Sequence, residues 1–171
     1  ISMGNKDTAR KLALNSGLKI CPGLNNEAIN KNNLEDKCNE IGFPILIKAS
    51  AGGGGIGMQI ANDYRQLLES IEKTKNLAQK AFGNSNVFLE KFITNARHIE
   101  IQVIGDQYGN ASHLSERDCS IQRRHQKLVE ESPSPFMTQK LRNHMGEAAI
   151  KAVKSIQYEG VGTVEFLVDK N

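Results

Sequence analysis

Two spacings of apolar residues take turns along this chain. In Gly4–Ser16, Leu34–Ile41, a stretch from Asn62 or Asp63 to about Phe82, and Thr138–Ile156 they recur in the helical manner. Asn62 or Asp63 caps the longest of these, with Leu67, Leu68, Ile71 and Leu77 as its expected buried face. Leu18–Cys21, Pro44–Lys48, Met58–Ala61, Val87–Phe92, His98–Ile104, Ala111–Leu114 and Gly162–Val168 read as short strands. The run HIEIQVIG sets Ile99, Ile101 and Val103 on one face and His98, Glu100 and Gln102 on the other. Pro22-Gly23 stops the first strand, Asn25 to Asn33 reads as a loop, and Asp106–Asn110 (DQYGN) is a hairpin turn. Strand pairs with helices between them predict an α+β fold rather than a doubly wound parallel sheet.

Composition narrows the function classes. The 171 residues suffice for one domain or two small ones, and 39% apolar with 24% charged residues is ordinary for a globular protein. No stretch approaches the roughly 20 apolar residues of a membrane helix. A net charge of +3 is too small to argue for nucleic acid. Cys21, Cys38 and Cys119 are odd in number and lack a CxxC pair, which argues against a disulfide framework or zinc site and for a reducing compartment. Opening at Ile1 and stopping at Lys170-Asn171, directly after a strand, reads as truncation at both ends.

Five strings carry candidate chemistry. Ala51 to Gly57 (AGGGGIG) offers backbone amides that can cradle phosphate. A flexible linker is the alternative, disfavoured by the flanking strands and by Lys48 just before the tract. Lys48, inside an apolar strand, needs a partner for its ammonium, and a nucleotide phosphate suits it; snorkelling to solvent is the alternative. Glu90-Lys91-Phe92-Ile93 can present a strand edge and a carboxylate to adenine, or be an ordinary edge strand. Ser115 to Lys127 (SERDCSIQRRHQK) can stabilise charge on a transferring phosphoryl group, or be a solvated face. Glu165, in an apolar strand, suits Mg²⁺ or lies on a wet face. His113 and His144 are assigned to structure or surface, and Cys119 to packing.

These strings together are similar to the ATP-grasp region of biotin carboxylases. The resemblance rests on Met3-Gly4-Asn5-Lys6, Gly42-Phe43-Pro44 with ILIKASAGGGGIGM, Phe88-Leu89-Glu90-Lys91-Phe92, Asn95-Ala96-Arg97-His98-Ile99-Glu100-Ile101-Gln102, ERDCSIQRRHQKLVEESPSP and Gly160 to Phe166. It covers nearly the whole chain in order and spacing. ERDCSIQRRHQK is its most specific part and favours this family over another ATP-grasp ligase, such as a carbamoyl-phosphate synthetase type or a purine-pathway carboxylase-like enzyme. A non-catalytic nucleotide-binding module is the remaining alternative. Ala51 and Ile56 depart from the commonest family pattern, which has glycine and often arginine there.

The resemblance implies an incomplete ATP-grasp fold. Residues 1–22 would be a connecting helix and strand, 23–92 a lid subdomain with the glycine loop, and 93–171 the first part of a truncated catalytic subdomain. It implies ATP, Mg²⁺ or Mn²⁺, bicarbonate, and biotin as carboxyl acceptor on a carrier domain. It also implies a carboxyltransferase partner, a homo-oligomeric parent, and a cytoplasmic location or the mitochondrial matrix in a eukaryote. Lys127 is implied as the lysine near the γ-phosphate and bicarbonate. Lys6 and Lys48 are implied as phosphate lysines, and Gly54, Gly55 and Met58 as part of the lid loop and its exit. Glu90, Lys91, Phe92 and Ile93 would form the adenine hinge, with His98, Gln122 and His125 as nucleotide contacts. Glu165 would be the first of two metal carboxylates. The second, and the bicarbonate base, are expected beyond Asn171, so this piece is expected not to turn over alone.

Overall fold

The computed structural model describes residues 6–15, 17–29, 32–51, 57–123 and 126–169, with the backbone alone for residues 6–9. The chain divides into two compact units, Ile1–Lys11 with Lys19–Ile93 and Leu12–Leu18 with Thr94–Asn171. Each has an antiparallel four-stranded sheet and its own apolar core, so the α+β expectation holds.

The first unit's elements begin with α1 (Lys6–Asn15, shared between the units), β1 (Gly23–Leu24), α2 (Asn26–Ile29) and α3 (Leu34–Ile41). They continue with β2 (Ile45–Ala49), β3 (Gln59–Ala61), α4 (Tyr64–Phe82) and β4 (Val87–Lys91). The sheet order is β1-β4-β2-β3. Ile45, Ile47, Val87 and Leu89 point to one face by strand alternation and are buried with Leu67 and Ile71 of α4. The Asp63 carboxylate caps α4 by accepting from the Gln66 N–H at 2.8 Å. Gly83, at φ +67°, ends the helix in the left-handed region that glycine adopts without strain.

Three expectations are corrected in this unit. Leu18–Cys21 lies outside any strand, and pairing begins at Gly23, because Pro22 has no N–H to donate and offers only its carbonyl, to the Lys91 N–H at 2.8 Å. Within the expected loop, Asn25 accepts from the Ala28 N–H at 3.0 Å and starts the single turn of α2. On α4 the buried stripe is Leu67, Ser70, Ile71, Thr74 and Ala78, while Leu68 and Leu77 are each 45% exposed. The helix phase is set by the 3.6-residue repeat through Leu67 and Ile71, which turns those two leucines outward.

The second unit contains β5 (Arg97–Gly105), β6 (Ala111–Arg123), β7 (Gln126–Glu131), α5 (Gln139–Ser155) and β8 (Gly160–Val168), in sheet order β7-β6-β5-β8. Ile99, Ile101 and Val103 pack with Met145, Ala149 and Val153 of α5. The return strand expected at Ala111–Leu114 runs on to Arg123, so most of the charged run is strand. A register shift between Ile101 and Val103, with Ser115 at φ +71°, inserts an extra residue in β6. Beyond it Glu116 opposes Ile101, and Asp118 opposes Ile99, on the α5 side; Arg117 opposes Glu100 on the other face. The Glu116 carboxylate is fully covered and takes two bonds from the Arg142 guanidinium of α5, both at 2.8 Å. Asp118 accepts from Arg97 at 3.2 Å and from the Ser134 hydroxyl at 3.1 Å. Among the described residues, no helix is long and apolar enough to cross a membrane.

Candidate functional site

The face of the second sheet opposite α5 gathers a chain of alternating charges. Glu100 on β5 stands directly across from Arg117 on β6 and from Glu165 on β8. It is only 2% exposed. Its Oε2 accepts from Arg117 at 3.0 Å and its Oε1 from the Lys127 ammonium of β7. Lys127 also donates to Glu165 Oε1 at 3.0 Å, and His98 Nε2 lies 3.7 Å from Glu165 Oε2. Arg117 is held further by Gln102 Oε1 at 2.7 Å and by Glu130 at 3.2 Å. Burying Glu100 is tolerated because each of its oxygens meets a cation.

The protonation states follow. Burial disfavours the charged Lys127, but its bonds to Glu100 and Glu165 outweigh this and raise its pKa well above the usual lysine value. The His98 bond, against the opposing effect of burial and with help from Lys127, holds Glu165 well below the usual carboxylate range. Burial first, then the Glu100 and Glu130 charges, push Cys119 up to about 11. That thiol is therefore protonated at neutral pH and inert, in keeping with a packing role.

Two metal arrangements can be set against this geometry. His98, Glu100 and Cys119 bring ligand atoms within 4.8 Å of one another. A protonated thiol and a carboxylate already matched by two cations do not suit a divalent ion there. Glu165 suits Mg²⁺ better: Lys127 and His98 also face its oxygens, but it is a hard oxygen donor, ionised and open to solvent at the sheet edge, so an ion can displace them.

In the first unit Lys48 and Glu90 meet. Strand pairing sets Lys48 across from Phe88 and Leu46 across from Glu90, so all four side chains share one face. Lys48 Nζ donates to Glu90 Oε2 at 2.5 Å and lies 5.7 Å from the Phe88 ring centre. Glu90 Oε1 accepts from Arg10 at 3.0 Å.

The residues singled out from sequence are thus distributed as follows. Lys48 with Glu90 forms one group, and His98, Lys127 and Glu165 form another. The Lys91 ammonium is taken by the carbonyls of Gly42 at 3.0 Å and Phe43 at 2.9 Å, closing the end of α3. The Phe92 N–H donates to Pro44 O at 3.0 Å, and Ile93 is half-buried after it. Met58 is half-buried just before β3. Gln122 is exposed near the end of β6, its amide donating to Cys119 O at 2.9 Å. Gly54, Gly55, His125 and the Lys6 side chain lie outside the described residues. Glu100 and Arg10 are not among the sequence candidates, and Arg117 is one only as part of the run Ser115 to Lys127. Glu100 had one usable signal, its place between His98 and Gln102 on the polar row of β5.

A family model described as the carbamoyl-phosphate synthase L chain, ATP binding domain, matches residues 5–171. The chain belongs to that family. Within this ATP-grasp family its similarity is to biotin carboxylases. It is 50% identical over 169 residues to biotin carboxylase 1 of Bacillus subtilis (strain 168), which covers 99% of this chain and 38% of that protein. It is 51% identical over 168 residues to the chloroplastic biotin carboxylase of Arabidopsis thaliana, covering 98% and 31%. Among solved structures, the biotin carboxylase domain dimer of Hydrogenobacter thermophilus 2-oxoglutarate carboxylase, with MgADP, ADP and bicarbonate, matches at TM-score 0.92 and 44% identity. That match covers 99% of this chain and 37% of the other. A Campylobacter jejuni biotin carboxylase–β-γ-ATP complex matches at TM-score 0.90 and 45% identity, covering 98% and 37%. The ATP-grasp chain thus spans less than two fifths of the length of each of these relatives.

Proposed function

We propose that this chain is the ATP-handling part of a biotin carboxylase, which uses MgATP and bicarbonate to carboxylate biotin through carboxyphosphate. The observation that carries this reading is Lys127, fixed between Glu100 and Glu165 on one sheet face, in a chain about half identical to biotin carboxylases. The carbamoyl-phosphate synthetase alternative shares the family model but not the names of these relatives.

Residues 23–92 act as the lid subdomain, 93–171 as the first part of the catalytic subdomain, and 1–22 as their connection. The first unit's share is Lys48 and Lys6 for phosphates and the Glu90–Ile93 segment, with Met58, for the nucleoside. Gly54 and Gly55 supply loop amides. The second unit's share is His98, Gln122 and His125 for the nucleotide and Lys127 for the γ-phosphate and bicarbonate. Glu165 holds the metal, which when bound neutralises phosphate charge. Lys127 stays an ammonium at neutral pH, so it offers a standing positive charge to the phosphoryl group as a bicarbonate oxygen attacks and ADP departs. The carboxyl group then passes to N1′ of biotin with release of phosphate.

The parent protein is a homo-oligomer that works with biotin on a carrier domain and with a carboxyltransferase, either fused or separate. Three free cysteines suit a reducing compartment, the cytoplasm or the mitochondrial matrix in a eukaryote. The test is ADP release by the full-length protein from MgATP. Dependence on bicarbonate and stimulation by free biotin are expected. ADP release indifferent to bicarbonate would reject the proposal, and dependence on an ammonia donor would favour the alternative.

A further inference from the structure

Arg10 is the part of the first unit that this reading leaves without a task. Its guanidinium donates to Glu90 Oε1 at 3.0 Å and to the Cys21 carbonyl at 2.7 Å. Glu90 therefore divides its two oxygens between Arg10 and Lys48. All three side chains are less than a quarter exposed, so their mutual electrostatics are only partly screened. The path to Glu90 is open because residue 23 is glycine. A Cβ there would meet the Arg10 guanidinium at 2.9 Å and the Leu89 carbonyl closer still. Lys48, by contrast, is tied down by Glu90 and flanked by the Phe88 ring.

We propose that Arg10 is a positioning residue for Lys48, acting through Glu90, and that it sets this unit's affinity for the phosphates of a nucleotide. The inference rests on the nucleotide reading above. A lone Lys48–Glu90 pair is neutral, and an incoming phosphate would have to compete with the carboxylate for the ammonium. With Arg10 present the trio carries a net positive charge. Arg10 also draws part of the carboxylate's field to its own side, so the Lys48 ammonium is released more easily to a phosphate oxygen. The Cys21 carbonyl fixes the guanidinium at that one oxygen, leaving the other for Lys48.

The experiment compares Arg10→Gln and Arg10→Lys with wild type in the full-length protein, measuring binding of MgADP and of adenosine. Arg10→Gln should bind MgADP about tenfold more weakly and adenosine at most about twofold more weakly, because the lost charge acts chiefly on the phosphates. Arg10→Lys should recover most of the loss. KM for MgATP should rise with kcat nearly constant. In a Lys48→Gln background the effect of Arg10→Gln should largely vanish, since the route runs through Lys48. Equal weakening of both ligands would make Arg10 a mere structural fastener and overturn the inference, as would unchanged MgADP binding or an undiminished effect without Lys48. Wild type that binds neither ligand would instead refute the nucleotide reading.

Discussion

Glu100 and Glu165 stand directly opposite one another on β5 and β8, and the Lys127 ammonium bridges their carboxylates. Two like charges across a ladder repel, so the pair is tenable only with the cation between them. The two carboxylates differ in setting: Glu100 is buried and also bound by Arg117, whereas Glu165 is exposed at the sheet edge. Glu100→Gln should cost about 1–3 kcal/mol, since it removes the buried acceptor shared by Lys127 and Arg117 and leaves these two partly exposed cations to Glu165 and Glu130 alone. Glu165→Gln should cost less than about 1 kcal/mol. Urea unfolding of both variants checks the contrast.

Lys127→Met should lower the bicarbonate-dependent kcat by roughly a hundredfold or more, the scale of removing one preorganised charge at a reacting group. Steady-state ADP release in the full-length protein measures it. A change confined to KM would remove Lys127 from the reacting centre.

Acid should loosen the second unit through Glu116. Hydrogen bonds from Arg142, opposed by burial and aided by Ser115 and the Ser134 N–H, bring its carboxyl down from 4.5 to about 2. A folded pKa below the unfolded one means the stabilisation is complete above about pH 4.5 and drains away as pH falls toward 2. The amount is on the order of 3 kcal/mol. Urea midpoints at pH 7 and pH 3 should fall less in Arg142→Met than in wild type.

Gly146 offers a check on packing. A Cβ there would lie 2.5 Å from His113 Nε2, on the half-buried ring that β6 lays against α5. Alanine raises helix propensity by about 1 kcal/mol, yet Gly146→Ala should destabilise by roughly 1–2 kcal/mol through overpacking. Adding His113→Ala should make the Gly146 change neutral or favourable. Thermal melts of the two single variants and the double variant decide it.

Much of this arrangement was legible in the chain because strand alternation is a local property. Ile99, Ile101 and Val103 fall on the core row and His98 on the polar row, as the period of two requires. The burial of Glu100 was not legible, because its partners Arg117 and Lys127 lie 17 and 27 residues away and arrive only when the sheet forms. The run from Ser115 to Lys127 looked like one cationic cluster. In the sheet Glu116 and Asp118 fasten the α5 side, and Arg117 and Lys127 serve the other. The extra residue at Ser115 sets that division, and a positive φ at serine has no clear sequence mark. The hold of the Gly42 and Phe43 carbonyls on the Lys91 ammonium was not legible either, since nothing nearby in sequence shows that β4 ends beside them.

Along β5, neighbouring residues answer to different demands: Ile99, Ile101 and Val103 to folding, His98, Glu100 and Gln102 to the charged face. A library of substitutions through this strand, scored separately for protein abundance and for turnover, would oscillate with a two-residue beat in both scores. The beats would be out of step, except at Glu100, where a buried carboxylate belongs to both. Improving the thermal tolerance of this unit by redesigning β5 is therefore practicable at every second position, and under the proposed function Glu100 is the polar-row site where such redesign and turnover cannot be uncoupled.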